Sequence, residues 1–384
     1  QGVQIVPPFD AEIAAAIEAT PPADQVPMND DLVEAVDPRD EYVAEAVKLA
    51  SGDEAARADL RIVLTAMHGV GASMTARVLA EAGFANVSLV AAQAEPDPDF
   101  PTVPFPNPEE AGALDMAIEQ ARAEGADLII AVDPDADRCA LAVPDPGAEA
   151  GWSPLSGDQI GCLLGEFLAA RGLEGSLANS IVSSRLLARI AEAHGLVHHT
   201  TLTGFKWIAR APKLAFGYEE AIGFCPNPQI ARDKDGIASS VVAASLFAAL
   251  KVEGRTAWDE LDRLAHAHGL HVTGPLTFRV EEIEQIAAGM ARLRAQPPSV
   301  LAGSPVVEVS DLSEGYRGLP PTDGVLVVTE AGDRVIARPS GTEPKLKCYL
   351  EVILSAPEGE PVPWEAARER LELIKSEFGR IIGL

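Results

Sequence analysis

Asp133, Asp135 and Asp137, followed at once by Arg138, are the densest group of chemistry-bearing residues in the chain. Carboxylates at i, i+2 and i+4 on a loop can converge on one hard cation. Magnesium takes oxygen ligands and leaves coordination positions open to water or phosphate. The planar fork of Arg138 suits a phosphate oxygen. A solvated acidic turn is the plain alternative. It is disfavoured by what feeds the loop: Leu128 to Val132 is a short apolar run that reads as a buried strand. In open α/β sheets the loop leaving a strand's carboxyl end is where ligands bind.

A second loop, Arg338-Pro339-Ser340-Gly341-Thr342-Glu343-Pro344-Lys345, lies between two predicted strands. Its cations, hydroxyls and flexible glycine are the mixture that cradles a phosphate, against a hairpin turn with incidental polarity. Glu219 and Glu220 follow a predicted strand, Leu214 to Gly217. A carboxylate there suits vicinal sugar hydroxyls, and a pair would suit glycoside cleavage. Adjacent residues on an extended stretch point to opposite faces, so one of the two is expected to face a substrate and the other to be structural. Thr203-Gly204-Phe205-Lys206 and Arg232-Asp233-Lys234 are weaker signals alone. Their weight comes from the expectation that loops of one sheet edge line one cleft. Gly69-x-Gly71 lacks the third glycine of a dinucleotide turn, and His68 before it reads as an orienting hydrogen bonder.

Charge narrows the ligand class. The chain has 30 basic and 58 acidic residues, a net charge of −28. That argues against nucleic acid and anionic membranes as partners. A phosphorylated ligand needs local positive charge against this field, and of the eight lysines, Lys206, Lys234, Lys345 and Lys347 fall in or beside the loops named above. The four cysteines show neither a metal-finger nor a CxxC spacing, which points to a reducing cytoplasm. No apolar run approaches the roughly 20 residues of a membrane span, and no signal peptide is visible.

The elements that must hold these loops alternate strand and helix. At 384 residues, two to four domains are expected. Residues 1 to 40 read as a short strand (Val3 to Val6), a helix capped by Asp10 and an acidic, proline-bearing connector, the remnant of a domain whose partners lie upstream. Residues 41–153 read as an α/β domain: strands Arg61 to Met67, Val87 to Ala91 and Leu128 to Val132, with helices from Ser73 and from Glu109, and a parallel sheet implied. Residues 154–271 repeat the pattern, with strands Ser180 to Val182 and Leu196 to His199 and an apolar helix from Ile237 to Leu250. Residues 272–384 group several strands, the first at Leu276 to Val280, before a helix whose Trp364, Ala367, Leu371, Ile374, Phe378 and Ile381 form one apolar face. That is an α+β domain with a mainly antiparallel sheet.

Three motifs taken in order resemble the α-D-phosphohexomutases, the family of phosphoglucomutases and phosphomannomutases. Asp133 to Arg138 is similar to its magnesium loop, Tyr218 to Gly223 to its sugar-recognition loop, and Arg338 to Lys345 to its phosphate-binding loop. Gly204 to Ile208 together with Tyr218 to Gly223 resembles the subgroup that includes phosphopentomutase-like enzymes. The resemblance covers essentially the whole chain. It implies repeated α/β/α mixed-sheet domains and a C-terminal α+β domain in a heart-shaped arrangement. It further implies a phosphoserine that exchanges phosphate with a sugar monophosphate through a bisphosphate intermediate, which also serves as activator. Asp133, Asp135 and Asp137 would then hold Mg²⁺ and Arg138 assist transfer. Glu219 would bind sugar hydroxyls, and Arg338, Ser340, Gly341 and Thr342 the non-reacting phosphate, with Lys345 beside them. Lys234 would move a proton or touch phosphate, and Thr203, Gly204, Phe205, Lys206 and Arg232 would complete the substrate site. A monomer or weak homodimer is implied.

Two departures stand out. Ala221 replaces a serine common two places after the sugar-binding glutamate, which removes a hydroxyl contact. The family's Ser-His-Asn-Pro type serine loop is not found in these residues, so the nucleophile is expected upstream and the fragment alone is expected to be inactive. Two other readings stay open. A haloacid-dehalogenase-like phosphatase also places Asp-x-Asp after a strand, although Ala136-Asp137-Arg138 does not fit its pattern. The second is a sugar-phosphate-binding module without catalysis.

Overall fold

The structure, a computed structural model, describes residues 2–340 and 344–383. Two compact units emerge from the packing. The first comprises Gln1–Pro154, Gly204–Phe216 and Gly223–Ala249, and the second Leu155–Thr203, Gly217–Ile222 and Leu250–Leu384.

In the first unit, helices α1 (Phe9–Ala19), α2 (Arg39–Val47) and α3 (Glu54–Asp59) precede a sheet of β1 (Arg61–Thr65), β2 (Asn86–Leu89), β3 (Leu128–Val132), β4 (Cys139–Pro144) and β5 (Trp152–Pro154). Helices α4 (Ala72–Glu81) and α5 (Asp115–Glu124) cross between its strands. The order is β2-β1-β3-β4-β5. The expected parallel arrangement holds for β2, β1 and β3, but β4 and β5 add antiparallel strands. All five residues of β3 are buried, as an interior strand between two neighbours requires. Helix α5 starts at Asp115 instead of Glu109 because Gly112, at φ +82°, lies in the left-handed region. Val3 to Val6 is not a strand, and α1 starts after Pro8 with no side-chain cap, so Asp10 lies inside its first turn.

The chain continues through α6 (Gly157–Ala169), β6 (Ser176–Ser180), α7 (Leu186–Ala193), β7 (Val197–Thr201), α8 (Phe205–Ile208), β8 (Leu214–Glu219), β9 (Gly223–Cys225), α9 (Gly236–Val252) and α10 (Ala257–His268). Within the second unit, β6 and β7 pair in parallel. A reciprocal capping box of Ser156 and Gln159 starts α6, and Thr256 with Asp259 does the same for α10. β6 lies four residues earlier than its apolar reading, because Asn179 is buried there with its amide bonded to Ser184 and His198.

The C-terminal sheet, all in the second unit, contains β10 (Leu270–Arg279), β11 (Val300–Leu301), β12 (Ser304–Asp311), β13 (Val325–Thr329), β14 (Arg334–Pro339) and β15 (Lys345–Leu354). The order is β10-β15-β14-β13-β12-β11, with its recorded pairings antiparallel. Helices α11 (Ile283–Ala295) and α12 (Trp364–Ile382) cover it. Ala367, Leu371, Ile374 and Phe378 of α12 enter a core with Val335, Ala337, Leu350 and Val352. β10 starts six residues before the expected Leu276, since Gly274 and Pro275 stay paired with Leu350 and Tyr349. No single helix among the described residues is long and apolar enough to cross a membrane.

Candidate functional site

The aspartate loop leaves the buried end of β3 and folds back on itself. Ala136 adopts φ +61°, and its N–H donates to the Asp133 carbonyl at 2.9 Å. The result brings one carboxylate oxygen of each of Asp133, Asp135 and Asp137 within 4.8 Å of the others. Asp133 is buried, Asp137 half-buried and Asp135 exposed. Burial pushes the Asp133 carboxyl up to about 6, helped by the negative charges of Asp137 and Asp135 and opposed by the Arg138 N–H. Three mutually repelling carboxylates, all oxygen donors, fit a hard divalent cation, which would relieve the repulsion.

Arg138 donates its backbone N–H to Asp133 Oδ1 at 3.0 Å and lies 3.5 Å from Oδ2 through its guanidinium. Its Nε–H finds no acceptor among the described residues, a donor left over for a ligand oxygen. Lys234 Nζ stands 2.9 Å from Asp137 and 3.4 Å from Asp233, with the Phe205 ring 5.5 Å away. The structure therefore joins Lys234 and Phe205 to the aspartate loop. Arg232 is exposed, and Gly204 and Lys206 are half-buried around the start of α8.

Much of this positioning was not anticipated from the motifs. Val70 N–H donates to the Pro134 carbonyl at 2.9 Å, and a Cβ on Gly69 would collide with Pro134. A Cβ on Gly71 would sit 2.5 Å from that of Ala136. The Gly69-x-Gly71 pair is thus a seat for the aspartate loop, not a nucleotide turn. His68 is buried and bonds Thr102 at 2.8 Å. Gly236 N–H donates to the Ala136 carbonyl at 3.1 Å, and buried Asp235 accepts from the Tyr42 hydroxyl at 2.7 Å. The loop that carries Lys234 is thereby tied both to the aspartate loop and to α2. Only the tight spacing of glycines around strand ends signals this in the sequence.

In the second unit, Glu220 is the anchored member of the glutamate pair. Its Oε2 accepts from the Ser180 and Ser183 hydroxyls, each at 2.9 Å. Burial, then the charge of Glu219, raises its carboxyl. Glu219 ends β8, half-buried. Behind them, Tyr218 donates its hydroxyl to Asp158 at 2.8 Å, and burial pushes the Asp158 carboxyl up to about 6. Thr203 is half-buried where β7's loop leaves this unit.

The second loop is a hairpin closure between β14 and β15. Arg338 is paired opposite Lys347 and Pro339 opposite Leu346, and Ser340 N–H donates to the Lys345 carbonyl at 2.9 Å. Arg338, Ser340 and Lys345 are half-buried, so their polar groups are reachable from solvent. Gly341 and Thr342, expected to hold phosphate, lie outside the described residues.

Three profiles of the phosphoglucomutase/phosphomannomutase group match the chain: alpha/beta/alpha domain II over residues 40–147, alpha/beta/alpha domain III over 156–267, and the C-terminal domain over 249–362. A Haemophilus influenzae protein described as a probable phosphomannomutase is 43% identical over 91% of this chain and 72% of its own length. A human phosphopentomutase is 30% identical over 98% of this chain and 68% of its own. A crystal structure of a Paramecium phosphoglucomutase, parafusin, superposes with a TM-score of 0.67 at 19% identity, over 92% of this chain and 64% of that one. The chain thus spans about two thirds of the length of the proteins it resembles.

Proposed function

The chain belongs to the phosphoglucomutase/phosphomannomutase family, and we propose that it acts as a phosphosugar mutase, interconverting the 1- and 6-phosphates of glucose or mannose. The observation that carries this reading is the convergence of three carboxylates beside Arg138 and Lys234 on the loop after β3. A relative named for pentose phosphates keeps a phosphopentomutase of the same family as the second reading.

In this proposal Asp133, Asp135 and Asp137 would hold Mg²⁺, which supplies charge stabilisation to a phosphoryl group in transfer. Arg138 offers its uncommitted Nε–H to a phosphoryl oxygen. Lys234, held between Asp137 and Asp233, moves a proton at Nζ or binds phosphate. Glu219 accepts hydrogen bonds from sugar hydroxyls, while Glu220, fixed by Ser180 and Ser183, holds the turn that presents it. Arg338, Ser340 and Lys345 bind the phosphate that does not react, with Gly341 and Thr342 completing that loop. Thr203, Gly204, Phe205, Lys206 and Arg232 contribute to substrate binding.

The phosphate-carrying serine of such a reaction is not assigned to any residue of this chain. A sugar bisphosphate is the activator and intermediate. A cytoplasmic monomer or weak homodimer is part of the proposal, and four buried cysteines free of disulfides support the cytoplasmic setting. Glucose 1-phosphate, given with a trace of glucose 1,6-bisphosphate and Mg²⁺ to the full-length gene product, is expected to isomerise. Release of free phosphate would favour a phosphatase, and binding without turnover a non-catalytic module. Either result overturns the proposal.

A further inference from the structure

The second unit contains a cavity of about 470 Å³ away from the hairpin that carries Ser340. Its wall sets the cations Arg185, Arg317 and Arg334 beside one carboxylate, Glu308, with Tyr316, His198, His199 and Thr200 completing the polar lining over an apolar floor. That volume is within the range of small-molecule pockets. In a chain of net charge −28, such a collection of cations calls for a reason.

The charges do not balance. Arg185 and Arg334 share one carboxylate, Glu351, at 2.6 and 3.2 Å. Arg317 is paired with Glu308 at 3.1 Å. Three guanidinium groups thus meet two carboxylates. Arg334 is 6% exposed, with NH1 bonded to the Ile181 carbonyl and NH2 to that of Ser183. Its Nε–H has no acceptor among the described residues. A buried cation with an unmet donor is costly, and burial pulls the Arg334 pKa down accordingly. An anion in the cavity would meet both needs. His198 adds no charge, because burial holds it down to about 4 and its Nε2 bonds Asn179 Oδ1.

The mouth of the cavity carries a second oddity. Tyr316 and Leu319 bond each other's backbone at 3.2 and 2.8 Å, closing a two-residue turn. Its central residues, Arg317 and Gly318, have φ +47° and +89°, the geometry of a type I′ turn. Asparagine, aspartate or glycine ordinarily fills the first of these positions, since a left-handed backbone costs other residues about 1–2 kcal/mol. Arginine stands there instead, 5.0 Å from the Tyr316 ring at the cavity's edge.

We propose that this cavity binds a phosphate monoester or inorganic phosphate, held by the buried Nε–H of Arg334 and the guanidinium of Arg317. The arginine forks at Glu351 are already engaged, so what remains are separated single donors, which suit the several oxygens of a tetrahedral anion better than a planar carboxylate. His199 and Thr200 add an imidazole and a hydroxyl. The site is separate from the phosphate loop: Arg334 and Arg338 are four residues apart on β14, roughly 13 Å at about 3.3 Å per residue. The inference does not depend on the mutase reading.

Inorganic phosphate titrated calorimetrically into the chain tests it, using Arg338→Ala to disable the hairpin site and Arg317→Gly to disable this one. Glycine suits φ +47°, so Arg317→Gly keeps or raises stability while removing the cation. The expected result is that Arg338→Ala retains one phosphate site per chain, and that Arg317→Gly in that background weakens it at least tenfold with no loss of Tm. Phosphate binding that disappears in Arg338→Ala alone, or that persists at full affinity in the double variant, overturns the proposal.

Discussion

Replacing Gly71 by alanine probes how the aspartate loop is held. The new Cβ would sit 2.5 Å from the Ala136 Cβ and 3.1 Å from Val132 Cγ2. Carbon atoms pack at about 3.5–4.0 Å, so Ala136 must retreat by roughly 1 Å or more. It has little freedom to do so. Its N–H is bonded to Asp133, its carbonyl takes the Gly236 N–H, and its φ of +61° is already strained for alanine. Overpacking of this kind costs about 1–3 kcal/mol. Asp135 and Asp137 flank Ala136 directly, and a binding constellation tolerates only about 0.5 Å of misplacement. Gly71→Ala is therefore expected to lower Mg²⁺ affinity more than tenfold by calorimetry, with a fall of a few degrees in Tm. Gly379→Ala is the control, because its Cβ would meet Phe278 at an ordinary 3.7 Å inside α12. It should be neutral or stabilising. Mg²⁺ affinity within twofold of wild type in Gly71→Ala, with Tm unchanged, would refute the view that this glycine seats the aspartates.

Three further outcomes follow from the same geometry. Asp135→Ala, at an exposed position, should weaken Mg²⁺ binding by tenfold or more without changing Tm, and unchanged calorimetric affinity would remove the metal assignment. Glu351 is fully buried; burial alone would raise its carboxyl, but Arg334 and then Arg185 hold it down at about 2. This stabilisation is full above the ordinary 4.5 and is lost as pH falls through 2. Glu351→Gln at pH 7 should cost about 3 kcal/mol in urea unfolding, and a cost below about 1 would show the ion pairs to be dispensable. His198 is lowered from 6.5 to about 4, so the unfolded chain binds its proton first. Stability should be flat in this respect above pH 6.5 and fall by about 2 kcal/mol on acidification toward 4, after discounting for its partial exposure. His198→Gln should flatten that part of the profile, and parallel curves for the two proteins would sink the assignment.

The convergence of the aspartates was legible because like charges are costly to place together without a reason. Asp133, Asp135 and Asp137 repel one another, and the apolar run before them announces the strand that presents them. The supports were hidden because they depend on contacts far apart in sequence. Nothing local says that Tyr42 reaches Asp235, or that Gly236 must be bare for the Arg138 carbonyl to pass. Strand signals failed where polarity was satisfied inside the fold: Asn179 in β6 looks like a loop residue until its partners Ser184 and His198 are seen. The antiparallel β4 and β5 follow the aspartate loop directly, and the strand–helix alternation that suggested a parallel sheet contains no trace of them.

The most direct measurement is ³¹P NMR of glucose 1-phosphate incubated with the full-length gene product, Mg²⁺ and a trace of glucose 1,6-bisphosphate, run beside its Asp135→Ala variant. The account predicts that the 1-phosphate resonance gives way to that of glucose 6-phosphate with no inorganic phosphate signal, and that the variant is slower by at least two orders of magnitude. Inorganic phosphate as the main product, or equal rates in the two proteins, would contradict it.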